Sequence, residues 1–101
     1  MATTILDAND LALLVQPDKI EAQGFLRPER VSVIAGTDHT GDDAYYVQLV
    51  YRDNTPSKAL AWSKVKSMVR WVRNEIRTAI NEERWAYVRV TRSSDVIQNP
   101  F

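Results

Sequence analysis

Residues 62–80 read Trp62-Ser63-Lys64-Val65-Lys66-Ser67-Met68-Val69-Arg70-Trp71-Val72-Arg73-Asn74-Glu75-Ile76-Arg77-Thr78-Ala79-Ile80. Trp62, Val65, Val69, Val72, Ile76 and Ile80 recur at steps of three and four, the period of an α-helix. At roughly 100° per residue they form one apolar stripe, so a long amphipathic helix laid on a sheet is expected. Lys66, Arg70, Arg73 and Arg77 make a basic row beside the stripe. Trp71 falls roughly opposite Trp62. The helix is therefore expected to carry a second apolar side that a single sheet cannot cover.

Upstream, Val31 to Ala35 and Ala44 to Tyr51 have the β-branched and aromatic content of strands. Between them Gly36-Thr37-Asp38-His39-Thr40-Gly41-Asp42-Asp43 is dense in turn formers, which predicts a hairpin with a long loop. On the second strand Tyr45, Val47, Leu49 and Tyr51 share one face, the expected core face. Tyr46, Gln48 and Val50 share the other, where Tyr46 and Gln48 are expected to be solvated. Downstream of the helix, which should end near Asn81, Trp85 to Thr91 alternates Ala86, Val88 and Val90 with Tyr87, Arg89 and Thr91, a third strand.

The first 30 residues are expected to be helical or irregular. Asp10 suits the cap of a short helix through Leu11 and Val15. Pro17 suits the opening of a second, stopped by Gly24. Val15, Ile20, Phe25 and Leu26 should turn to the core. Arg27-Pro28-Glu29-Arg30 reads as a connector, and Pro56 suits a helix start after the loop 52–55.

The order is α-β-β-α-β. Three strands and one long helix in the C-terminal half make a two-layer α+β domain with a mostly antiparallel sheet, spanning residues 1–101 as a single unit. A strand reached through a helical crossover runs parallel to the strand it left. Pairing it with strand one gives the expected spatial order 2-1-3. Residues 94–101 are expected to be a flexible tail, unless Val96, Ile97 and Phe101 dock.

A chain of 101 residues buries about 60–70% of its unfolded surface, enough for a core without covalent staples. Cysteine is absent, which excludes disulfides, thiolate catalysis and cysteine-held zinc or iron–sulfur groups. The longest apolar run, Leu11 to Val15, is far short of the ~20 residues of a spanning helix. The N-terminus lacks a basic start followed by an apolar run. A soluble, cytoplasmic protein is expected.

The 13 cationic and 13 acidic residues cancel, but unevenly. Residues 1–55 carry four Lys/Arg and nine Asp/Glu, a net −5, and residues 56–101 carry nine and four, a net +5. Such asymmetry fits either a basic face for an anionic polymer or two complementary halves, in one chain or across a dimer. Overall neutrality favours the second, because nucleic-acid modules are usually basic overall.

Asp38, His39, Asp42 and Asp43 place three carboxylates and the sole imidazole within six residues, a donor set a metal ion could use. The spacing does not match a calcium loop, and a solvated hairpin loop explains the same residues. Catalysis would have to use His39 with Asp42 and Asp43, from a loop ill suited to fixed geometry. The three glycines, Gly24, Gly36 and Gly41, cannot write a phosphate-cradling motif. No cofactor is expected.

Two surfaces remain. Trp71, with Leu60 and Thr78 on roughly the same side, is the expected interface of a homodimer. The leading expectation is thus a small non-enzymatic protein-interaction module that self-associates. The alternative is a nucleic-acid-binding module using Lys66, Arg70, Arg73 and Arg77 for phosphates, with Trp71, Tyr46, Tyr87 and Arg89 adding stacking. Third comes an enzyme or metal site at the acidic loop.

Overall fold

The computed structural model describes residues 8–80 and 85–95. Its elements are α1 (Ala8–Leu14), α2 (Pro17–Ala22), β1 (Arg30–Thr37), β2 (Asp43–Tyr51), α3 (Trp62–Ala79) and β3 (Trp85–Arg92), with 3₁₀ turns at Ser57–Leu60 and Ser93–Asp95. This is the α+β class and the α-β-β-α-β order that the periodicities predict.

The sheet is mixed, and its order is β1-β2-β3. β2 pairs antiparallel with β1 and parallel with β3. The expected order 2-1-3 is therefore corrected: β2, not β1, is central. The physical reason lies in the strands themselves. Eight consecutive residues of β2, Ala44 to Tyr51, are buried, whereas β1 is half exposed and carries Arg30, Ser32, Gly36 and Thr37. The most apolar strand gains most from having both edges bonded, and a hairpin on one side with a crossover on the other places it there.

On the helix-covered face the register aligns Val33, Val47 and Val88, and next to them Val31, Leu49 and Val90. Val65, Met68, Val69, Val72 and Ile76 of α3 are the buried residues above them. A fully buried Val or Ile at such a place contributes about 1.5–3 kcal/mol relative to exposure. Leu11 and Val15, with Ile20 of α2, complete the core, and α1 packs on β1 beside α3. Pro17 opens α2 as expected, but Ala8 and Asn9 are already helical, so Asp10 lies within α1 rather than capping it.

Four further expectations change. Trp62 heads the apolar stripe in sequence, yet it is 62% exposed, because the first buried position of α3 is Val65. Leu26 is 50% exposed rather than in the core. Tyr46 and Gln48, expected to be solvated, are 4% and 1% exposed, and the ring of Tyr87 on the neighbouring strand stacks on Tyr46. The end of α3, by contrast, is near where the spacing puts it: the helix closes at Ile80, and Asn81 itself lies outside the described residues.

The two ends of the sheet are tied down differently. Arg92 donates to the Asp53 and Thr55 carbonyls at 2.8 and 2.6 Å and to Ser57 Oγ at 3.3 Å. The Ser94 N–H donates to Asp53 Oδ1 at 2.9 Å. Ser94 and Asp95 thus belong to an anchored turn, not to a free tail; Val96, Ile97 and Phe101 lie outside the described residues. At the other end the hairpin loop closes on Asp38, and Gly41 takes φ +88°, a conformation that favours glycine.

Candidate functional site

The two flanks of α3 have opposite fates. One faces the N-terminal segment. There Trp71 is half-buried and packs on the core, with its ring centroid 6.3 Å from that of Phe25. Leu60 also packs inward, while Thr78 is exposed. Trp71 and Leu60 are therefore partly covered within the chain, whereas Thr78 is exposed. The second apolar side of the helix exists, but residues far upstream shelter it.

The other flank lies toward the edge of β3 that pairs with no strand among the described residues, and it carries Trp62, Lys66, Arg70, Arg73 and Arg77 within about 80° of one another. Glu75, the one acidic residue of α3, falls on the far side. Lys66 and Arg70 are exposed and form no ion pair among the described residues. Arg73 and Arg77 are half-buried, with guanidinium carbons 5.1 and 4.9 Å from the centre of the Trp85 ring. Arg73 Nε also donates to the Ala86 carbonyl at 3.1 Å, satisfying a backbone acceptor at the sheet edge. Both cations thus sit within cation–π range of the indole, which favours keeping their charge beside it. Trp85 itself remains 41% exposed.

The Trp85 contact extends across the sheet's second face. Trp85 meets Tyr87 edge-on at 6.4 Å, and Tyr87 stacks on Tyr46 at 5.4 Å with planes 15° apart. Tyr46 Oη donates to the Thr37 carbonyl at 2.6 Å, and Tyr87 Oη donates to Asp38 Oδ2 at 3.4 Å. Burial raises the Tyr87 phenol's pKa, and the Asp38 charge and hydrogen bond raise it further. Of the expected stacking residues, Tyr46 is buried, Tyr87 is held between two rings, and Trp71 lies on the wrong flank. Arg89 is half-buried on the second face. The exposed indoles are instead Trp62 and Trp85. Trp62 was masked in the sequence by its fit to the apolar stripe, and Trp85 by its place at the head of a strand.

The acidic loop is bonded to itself. Asp38 Oδ1 accepts from Thr40 N at 2.9 Å, Thr40 Oγ1 at 2.5 Å and Asp42 N at 3.1 Å. The Thr40 hydroxyl is the main cause of a lowered Asp38 pKa. These bonds turn the carboxylate toward its own backbone, as in an Asx turn. No three His, Asp or Glu side chains stand together in a metal-holding arrangement among the described residues. His39 is exposed and makes no hydrogen bond to a hydroxyl among the described residues.

The grooves lined by described residues include two away from the basic flank. One of about 780 Å³ is walled by Pro28, Tyr51 and Pro56. A smaller one of about 240 Å³ is walled by Phe25, Val65 and Met68. They share Leu26 and Ala59. No helix among the described residues is long and apolar enough to cross a membrane. No family model matches the chain, and no curated protein or solved structure matches it either.

Proposed function

We propose that the chain is a small non-enzymatic binding module that takes nucleic acid along the basic flank of α3. The observation that supports this is the placement of Arg73 and Arg77 on Trp85, in line with exposed Lys66 and Arg70. From Lys66 to Arg77 the row advances about 16 Å along the helix axis. Stacked nucleic acid presents a phosphate about every 3.4 Å per strand, so four cations over this distance match a short run of phosphates. Arginine suits bidentate donation to phosphate, and the Trp85 ring beside Arg73 and Arg77 helps to hold their charge on this flank. Net neutrality of the whole chain does not oppose this, because screening confines each charge to a range of about 8–10 Å.

Binding of fluorescent oligonucleotides at two salt concentrations tests the proposal. Affinity should fall steeply as salt rises, with a slope of about 0.7–0.9 log units per phosphate contact. Lys66→Glu with Arg70→Glu should weaken binding and flatten that slope. These two positions are chosen because neither side chain holds the fold. Salt-insensitive binding, or binding unchanged in the double variant, would remove the flank as the reader.

A second reading is a self-associating protein-interaction module, and Leu26 favours it. This side chain is half exposed where the two grooves meet, a place suited to an apolar anchor from a second copy. Trp71 lends it no support, being covered by Phe25. Light scattering at micromolar concentration gives the mass. A dimer that Leu26→Ser dissociates would establish this reading, and a monomer at all concentrations would sink it.

A further inference from the structure

We infer that Trp62 is a base-stacking platform that directs the basic flank to single-stranded nucleic acid. The inference rests on the phosphate-binding reading above and names the ligand class. Trp62 is the most exposed large hydrophobic side chain of the described residues, at 62%. It makes no ring contact among the described residues, so no other described ring stacks on its π-face. A core role, which the apolar stripe suggested, is excluded by that exposure.

Its position gives the exposure a chemical use. Trp62 lies one helical turn before Lys66 and on the same edge of α3 as Arg73 and Arg77. The flank therefore has an open indole at one end, Lys66 and Arg70 along its length, and the Trp85 indole with Arg73 and Arg77 against it at the other. From Trp62 to Arg77 it advances about 22 Å, the length of roughly six stacked nucleotides. The first turn of α3 has neither a side-chain cap nor an acidic residue. Its N–H groups and helix dipole add attraction for a phosphate next to Trp62. An acidic peptide would use the cations but would have no need of a flat apolar ring. A duplex keeps its base faces inside the stack and cannot offer one to an indole. An unpaired strand offers both a phosphate row and π-faces.

The test measures anisotropy of a labelled eight-nucleotide single strand and of a matched duplex, with the wild-type chain, Trp62→Ala and Trp62→Phe. The wild type should bind the single strand more tightly. Trp62→Ala should lose roughly tenfold or more on the single strand, the usual effect of deleting a stacking ring, and less than about twofold on the duplex, where no base reaches the ring. Trp62→Phe should keep much of the affinity. The melting temperature should be unchanged in both variants, since the residue is exposed. If the wild type favours the duplex, or if Trp62→Ala lowers both affinities equally or neither, the stacking role is wrong while phosphate binding stands. If neither nucleic acid binds at low salt, the phosphate-binding reading fails, and the stacking role fails with it.

Discussion

Phe25 lies against Trp71, with ring centroids 6.3 Å apart and planes at 51°. A tilted aromatic pair of this kind adds stabilisation beyond area burial. It also decides which flank of α3 is left for a partner, because the tryptophan that looks unprotected from the helix period is covered by a loop residue from the N-terminal segment.

Removing that cover should therefore cost stability. Phe25→Ala is expected to lower the unfolding free energy by about 2 kcal/mol, below the full cost for a core phenylalanine because the residue is only partly buried. For a domain of this size the melting temperature should fall by about 10 °C. Tryptophan emission should shift to the red as Trp71 becomes wet. An unaltered melting curve would show that the Phe25 contact does not hold the N-terminal segment on α3.

Tyr51 should make the fold sensitive to alkali. Its hydroxyl donates to the Leu26 carbonyl at 2.7 Å, its oxygen lies 3.1 Å from Met68 Sδ, and burial pushes its pKa from 10.0 up to about 12. A raised folded value means that the neutral phenol is the form the fold favours. Its contribution is complete below pH 10 and is lost as pH rises through about 12. Tyr51→Phe cannot ionise, so denaturant titrations should show a shallower loss of stability over that interval. At neutral pH the same variant should be about 1 kcal/mol less stable, through the lost bond to Leu26. Equal alkaline slopes in both proteins would contradict the assignment.

Asp38 should act at the acid end with the opposite sign. The Thr40 hydroxyl is the largest cause of its lowered value, and the Thr40 and Asp42 N–H groups add to it. The stabilisation is present above the ordinary 3.8 and is lost as pH falls through the lower folded value. Thr40→Val removes the hydroxyl donor, so its stability should decline less steeply below pH 3.8 than that of the wild type. Circular dichroism during acid titration reads the difference, and superimposable declines would show that this hydrogen bond does not govern Asp38.

Much of the fold was legible because it is written in local periods. The three strands and α3 follow from alternation and from the three-and-four spacing of apolar residues, and Pro17 marks the start of α2. The order of the strands was not legible. It depends on β2 gaining a bonded neighbour on each edge, which no window of sequence contains. The burial of Tyr46 and Gln48 was not legible either, because the cover comes from side chains of other strands, such as the Tyr87 ring stacked on Tyr46. In the candidate site the cationic row Lys66, Arg70, Arg73 and Arg77 was visible on the helix. Its pairing with Trp85 was not, because that contact joins a helix flank to the start of a later strand.

The sequence by itself determined that residues 62–79 form an amphipathic helix with a basic row, since that depends only on backbone period and side-chain polarity. Tertiary structure alone decided which of its tryptophans is sheltered. Shelter is a property of neighbours, and the neighbours of Trp71 and Trp62 come from elsewhere in the chain: Phe25 reaches the first, and none of the described rings reaches the second.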